Sequence, residues 1–359
     1  MKAFKVLYSG DYFDVNGKFV LPGTGLDLLE NDSSIETEIM KEQSPQPGET
    51  TYSDRLYSLE VTSGHVANAN GIVICRPWVK PSAFVHGAEG LVVIGRAGAG
   101  YDKIDLAACT ANDVLVFNCP DTLVHSTASA ALTFILALAK RLPEHERMAR
   151  TGRWDRQAEI TGDDLPGQTL GIVGLGHTGA ELARLVAPFQ MRVLAYSPRA
   201  DAAKAKALGV SLVPTLDEIF RESDFISLHS RLEPHTHRMI GEREFRAMKP
   251  TAYFINVARG ELVQQEVLVR GLREGWIRGA ALDVFEEEPL PAGDPLTQLD
   301  NVILAPHWLP ATRRALQLTL AAVAAGMRRV ASGRLPDNIL NPTVVERPAF
   351  RAKLARLAL

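Results

Sequence analysis

Short apolar runs alternate with stretches of helical period along the whole chain. Residues 5–8, 71–75, 91–95, 115–118, 169–174, 192–196, 224–229, 253–257, 279–284 and 301–304 read as strands, and 126–141, 178–189, 264–274 and 312–332 as helices between them. Alternation of this kind predicts a doubly wound, mainly parallel α/β architecture. Ten strands are more than one such sheet holds comfortably, so two sheets are expected, divided near Asn118, Cys119 and Pro120, where a strand runs into proline. Residues 27–54 are polar, contain Pro45 and Pro47 and show little period; they read as a long loop or insertion on the first sheet. The 126–141 helix is nearly all Ala, Leu, Ile and Thr around Phe134. A helix apolar on most faces is buried, here at a domain or subunit interface.

Composition narrows the class. The 359 residues are 46% hydrophobic and 23% charged, with a net charge of −3. That balance argues against general disorder and against nucleic-acid or membrane binding by bulk charge. The three cysteines, Cys75, Cys109 and Cys119, sit in no C-x-x-C or metal-ligand spacing, which gives no metal site and suits a reducing compartment. Lys5 interrupts what would be the apolar part of a signal peptide, and no apolar run reaches the ~20 residues of a membrane span. The expectation is a soluble, cytoplasmic protein.

Gly174, Leu175, Gly176, His177, Thr178 and Gly179 match G-x-G-x-x-G, directly after an expected strand and ahead of an expected helix. In that context the first glycine makes the tight turn, the second admits a pyrophosphate close to the backbone, and the third lets helix and strand pack. The phosphates would sit at the helix N-terminus, where free N–H groups and the dipole favour anions. The alternative is that the glycines serve tight packing alone. The next strand ends not in the carboxylate that accepts from a ribose 2′-OH but in Ser197, followed by Pro198 and Arg199. A missing acid removes repulsion against a 2′-phosphate, and Arg199 can pair with it, so NADP(H) is favoured over NAD(H). An exposed loop arginine beside a site indifferent to the phosphate is the other reading.

Three residues in the second half each follow an apolar strand: Arg259, Glu288 and His307. They should project from the C-terminal edge of one sheet, where ligands bind in open α/β folds. Beside a nicotinamide, Arg259 can clamp a carboxylate in bidentate fashion, and His307 can give a proton to a carbonyl oxygen as hydride arrives at carbon. Glu288, hydrogen-bonded to the imidazole, favours its charged form. Each has a plainer alternative: Arg259 satisfying strand-end carbonyls, Glu288 solvated with Glu286 and Glu287, and His307 an ordinary buried histidine.

With these residues in place, the chain from 91 to about 315 resembles the D-isomer-specific 2-hydroxyacid dehydrogenases, the family of phosphoglycerate dehydrogenase and glyoxylate/hydroxypyruvate reductase. The stretches that carry the resemblance are 93–105, 174–179, 223–229, 248–250, 256–260 and 280–289, in that order. It implies NAD(P)-dependent interconversion of a D-2-hydroxy acid and its 2-oxo acid, with Arg259, Glu288 and His307 as the substrate-binding and acid–base residues. It implies that backbone N–H groups at Ala99 and Gly100 hold the substrate carboxylate. It also implies that Asp283 meets the nicotinamide amide, and that His229 and Val257 belong to the cofactor site. The implied plan is a Rossmann NAD(P)-binding domain, 119–305, inserted into a flavodoxin-like substrate domain, 1–118 plus 306–359, in a homodimer.

Some positions depart from the family. Its histidine is usually followed by x-Gly-Gly or x-Gly-Ala; here Trp308, Leu309, Pro310 and Ala311 follow His307. Trp308 is expected as a substrate-pocket wall, with core filler as the alternative. Arg231 replaces a usual proline, and Ser129 stands where the family often has glutamate. Arg76, just past an expected strand, either faces the cleft as a substrate ligand or is a solvated strand-end charge. The leading reading is the dehydrogenase. A nucleotide-sensing binding protein, like the family's transcriptional corepressors, is a second, supported only by the departure at 308–310. A dehydrogenase for an unusual small anion such as phosphite or formate is a third, which Arg76 and Arg231 would suit.

Overall fold

Strands of a parallel sheet covered on both faces read as unbroken apolar runs rather than as alternation. Most of the strands here are visible in the sequence for that reason. The computed structural model describes residues 3–357 except 17, 21–28 and 30. Its strands are Phe4–Tyr8 (β1), Ile35–Ile39 (β2), Gly71–Ile74 (β3), Val93–Arg96 (β4), Leu115–Asn118 (β5), Thr169–Val173 (β6), Arg192–Tyr196 (β7), Val210–Leu212 (β8), Phe225–Leu228 (β9), Tyr253–Asn256 (β10), Gly279–Leu282 (β11) and Val302–Leu304 (β12). Every residue of β3, β5, β6, β9, β10 and β11 is buried.

The chain divides into two units, Met1–Leu123 with Ala311–Leu359, and Val124–Pro310. Each holds one wholly parallel sheet, so the two doubly wound α/β sheets expected from the sequence are present. In the first unit the strand order is β2-β1-β3-β4-β5; in the second it is β12-β11-β10-β9-β6-β7-β8. The order reverses between β1 and β3 in the first sheet and between β6 and β9 in the second. In open α/β folds the ligand crevice lies outside the strand C-termini at such a reversal.

Two strands escape the sequence reading, and both are edge strands. Residues 27–54 are not one long loop: β2 lies within them, paired in register with β1 from Phe4↔Ile35 to Tyr8↔Ile39. Residues 27, 28 and 30 of that stretch lie outside the described residues. An edge strand is partly solvated, so Ile35, Thr37 and Ile39 alternate with Glu36 and Glu38 and the run looks polar. The three residues of β8 pair only with β7 and are hidden in the same way.

The unit boundaries fall at 123/124 and 310/311, five residues beyond each expected cut. His307 and Trp308 therefore belong to the seven-stranded unit rather than to the C-terminal substrate segment. The cause is packing: Ala305 and Leu309 lie against the core formed by Leu170, Ile172, Ile255 and Ala281.

The 20 residues Pro120–Ala139 are long and apolar enough to cross a membrane by length and composition, contrary to the expectation that no run reaches that length. Helix Val124–Ala139 packs against helix His177–Val186, and Ala128, Ala131, Phe134, Ile135 and Leu138 are buried with Leu182 and Val186 in one core.

In the first unit, helix Pro348–Ala355 is anchored by a lysine. The Nζ of Lys353 donates to the carbonyls of Ala88 (2.6 Å), Leu91 (3.1 Å), Asn112 (2.9 Å) and Asp113 (3.1 Å), and burial lowers its pKa. Lys353→Met strands these carbonyls at ~1–3 kcal/mol for the group left unsatisfied. Thermal unfolding of the variant is expected to move down by several degrees; an unchanged midpoint would contradict the anchoring role.

Candidate active site

The site-bearing residues of the second unit stand at the C-terminal ends of its strands. After β6, Gly174 turns the chain at φ +102°, and its N–H donates to Tyr196 O at 2.9 Å. A Cβ on Gly174 would lie 2.7 Å from Ser230 N, and one on Gly179 would lie 2.2 Å from Gly174 O. Around Gly176, the N-cap of helix His177–Val186, nothing lies within 4 Å of where a Cβ would be. His177 is exposed and Thr178 half-buried in the first turn of that helix. Closed on two sides and open at Gly176, this cradle fits a dinucleotide pyrophosphate.

Ser197 is half-buried just past β7, while the Arg199 side chain is 84% exposed. Sequence order hid a carboxylate beside it. Glu233, on the loop after β9, brings Oε2 to 3.6 Å from Arg199 Nη2. His229, at the start of the same loop, has Nε2 at 2.9 Å from Ser227 Oγ, and desolvation lowers its pKa to about 4.

At the end of β10, buried Asn256 pins the following turn: its Oδ1 accepts from Ala258 N–H (3.0 Å) and its Nδ2 donates to Arg259 O (2.8 Å). That turn carries buried Val257 and Arg259, whose Nη1 donates to Ala258 O at 2.7 Å. Gly260 then passes so close to the next loop that a Cβ would sit 1.9 Å from the carbonyl carbon of Phe285. In the sequence, Asn256 and Gly260 stand only as motif letters. Their structural work depends on contacts that spacing does not reveal.

The loop after β11 presents Glu288. Its Oε1 accepts from Phe285 N–H at 3.2 Å, and its Oε2 and Oε1 lie 2.8 and 3.0 Å from His307 Nδ1. His307 follows β12 at φ +52°, a left-handed conformation. The turn is held from below by Asp283, whose Oδ1 accepts from the N–H groups of both Trp308 and Leu309 at 3.1 Å. Asp283 is buried, and desolvation raises its carboxyl pKa against the opposing pull of these donors and of His307. With Nδ1 facing a carboxylate, the imidazole tautomer is set and Nε2 is the nitrogen left to exchange a proton. Trp308 is 37% exposed, which excludes a core-filling role. Arg231 is exposed and its carbonyl accepts from Thr236 Oγ1.

The remaining expected residues lie in the first unit. Arg76 is not a solvated strand-end charge: its side chain is 18% exposed, with Nη1 at 3.3 Å from Asp11 Oδ2, an oxygen that also accepts from Arg76 N–H at 3.2 Å. The Asp11 side chain is fully buried and also accepts from Ser9 Oγ at 2.5 Å. The two therefore form a buried pair after β1 and β3, at the strand-order reversal of that sheet. Asp11 gave no sequence signal. Ala99 O accepts from Asn118 Nδ2 at 2.6 Å, and among the described residues no hydrogen bond is donated by the N–H of Ala99 or Gly100.

A pyrophosphate cradle and an imidazole–carboxylate pair on one sheet edge define a class, the nicotinamide-dependent dehydrogenases. Residues 132–308 match the family model described as D-isomer specific 2-hydroxyacid dehydrogenase, NAD binding domain. The glyoxylate reductase of Korarchaeum cryptofilum is 36% identical over 329 residues, 91% of this chain and 95% of that protein. The D-3-phosphoglycerate dehydrogenase of Methanocaldococcus jannaschii is 40% identical over 257 residues, which is 72% of this chain and 49% of that protein. Among solved structures, the TT0316 protein of Thermus thermophilus matches with a TM-score of 0.78 at 31% identity, covering 94% of this chain and 100% of that one. The chain belongs to the D-isomer-specific 2-hydroxyacid dehydrogenase family.

The lowered pKa of His229 carries a stability consequence. The unfolded imidazole takes up its proton near pH 6.5, whereas the folded one waits until about pH 4. Between these values the unfolded state binds more protons, so stability falls as pH falls, by at most ~1.4 kcal/mol per pH unit for one group. His229→Gln is expected to lose less stability than wild type between pH 7 and pH 5 in urea unfolding; identical losses would contradict the assignment.

Proposed function

We propose that the protein interconverts a small 2-oxo acid, such as glyoxylate, and its D-2-hydroxy acid, with NADP(H) preferred over NAD(H). The reading is carried by His307: its Nδ1 lies 2.8 and 3.0 Å from the two oxygens of Glu288, which leaves Nε2 to serve the substrate. Glyoxylate is suggested by the activity named for the similar Korarchaeum protein. Preference for NADP(H) rests on Ser197 and Arg199 standing where a carboxylate would favour the 2′-OH.

The pyrophosphate would be held at Gly174, Gly176, His177, Thr178 and Gly179, with His229, Val257 and Asp283 toward the nicotinamide. When bound, the nicotinamide supplies or accepts the hydride. His307 holds a proton at Nε2 and delivers it to the carbonyl oxygen, taking it back from the hydroxyl in the reverse direction. Glu288 faces the imidazolium that gives up this proton in reduction and that re-forms on taking it back, and stabilises its charge. Arg259 pairs with the substrate carboxylate and fixes which face of the carbonyl is presented.

His307→Gln keeps size and polarity but removes the transferable proton. Its turnover should fall ~10²–10⁴-fold, the usual worth of a positioned acid, with cofactor affinity little changed. Near-normal turnover in steady-state kinetics would contradict the role. The family resemblance extends the reading to a homodimer, and Leu142 (57% exposed) and Trp154 (67% exposed) supply apolar surface for a second copy to cover. Sedimentation equilibrium should return the dimer mass; a monomer mass at all micromolar concentrations would contradict it.

A further inference from the structure

Glu233 lies across the strand order from the element it meets. It belongs to the loop after β9, whereas Arg199 follows β7, and β6 runs between those two strands. The loop reaches across because its start is seated on the glycine turn: His229 N–H donates to Val173 O at 2.8 Å, and Ser230 N lies 2.7 Å from where a Gly174 Cβ would be. Its far end is tied by Ile240 N–H donating to Leu262 O at 3.0 Å. Between these points Thr236 builds a turn around Glu233. The Glu233 N–H donates to Thr236 Oγ1 (2.8 Å), that hydroxyl donates to Arg231 O (2.8 Å), and the N–H groups of Thr236 and His237 donate to Glu233 O (2.9 and 3.0 Å). The Glu233 side chain is 25% exposed, and its Oε2 stands 3.6 Å from Arg199 Nη2 and 3.5 Å from His235 Nε2.

We propose that Glu233 is a specificity residue for the cofactor, holding down the preference for NADP(H) that Arg199 creates. This rests on the reading that the end of β7 is the ribose edge of the cofactor site. As a stabilising ion pair, an exposed contact of this length is worth little. Its consequence appears when a third charge arrives. A 2′-phosphate brings about two negative charges to the ground beside Arg199. Glu233 competes for the same guanidinium and repels the phosphate. A 2′-hydroxyl carries no charge and can donate to a carboxylate, so Glu233 serves for NAD(H) the purpose that an acid at position 197 would have served. One carboxylate, delivered by tertiary structure, thus acts on both cofactors in opposite senses.

The test is direct binding of NADH and NADPH to the full-length protein, followed by nucleotide fluorescence, for wild type, Glu233→Gln and Arg199→Ala. Removing one unit charge facing a dianion across several ångströms of water-like dielectric is worth ~10-fold in affinity. Glu233→Gln is therefore expected to tighten NADPH ~10-fold and to weaken NADH, and an unchanged NADH affinity would overturn the part of the proposal that has Glu233 accept from the 2′-hydroxyl. Arg199→Ala should weaken NADPH by a similar factor with little effect on NADH. If Arg199→Ala weakens NADPH but Glu233→Gln leaves it unchanged or weaker, the role of Glu233 is overturned while the ribose edge stands. If neither substitution alters either affinity, the ribose edge itself is misassigned and the inference falls with it.

Discussion

No side chain fits between Gly260 and the backbone of Phe285, and the arrangement of the candidate site depends on that approach. It presses the turn leaving β10 against the loop leaving β11. Asn256 closes the first turn onto itself and leaves Arg259 projecting from a fixed base. Glu288 is positioned in the second loop by Phe285 N–H, at the residue that makes the contact. Asp283, at the end of β11, then reaches to the chain leaving β12 and holds Trp308 and Leu309 by their N–H groups, so His307 is presented to Glu288. Each tie contributes on the order of 1 kcal/mol net. Their joint effect is to set three charged or ionisable side chains before any ligand arrives, which is the condition for efficient proton transfer and electrostatic stabilisation.

The same sheet edge explains why the candidate cofactor-binding and acid–base residues share one unit. In a parallel sheet all strand C-termini lie on one side, and reversal of the order between β6 and β9 opens the crevice there. Gly174 keeps the β6 turn low enough for the β9 loop to lie directly on it. That seating carries half-buried His229 beside Ser227, where desolvation lowers its pKa to about 4, and carries Glu233 out toward Arg199. In the proposed reading, the two ends of one loop serve opposite ends of the dinucleotide site.

How much of this was legible in the sequence follows from how local each signal is. The glycine cradle was legible because turn, phosphate approach and helix packing impose a fixed spacing within six residues. The buried strands were legible because burial on both faces leaves unbroken apolar runs. Edge strands β2 and β8 were not, since partial solvation erases that signature. Arg259, Glu288 and His307 could be picked out by their positions after strands, yet Asp11, Asn256 and Glu233 could not be assigned partners. Asp11 meets Arg76 through the pairing of β1 with β3. Glu233 meets Arg199 only because a loop crosses the end of β6. The C-terminal unit boundary lies past the strand end for a related reason: a strand end marks where pairing stops, whereas Leu309 shows where packing stops.

The most direct measurement is the consumption of NADPH and NADH, followed by their absorbance, by the wild-type protein offered a panel of small 2-oxo acids that includes glyoxylate. The account predicts turnover of at least one of them, faster with NADPH. Binding of both cofactors with no consumption on any acid in the panel would contradict it, and would instead favour a nucleotide-sensing protein built on the same fold.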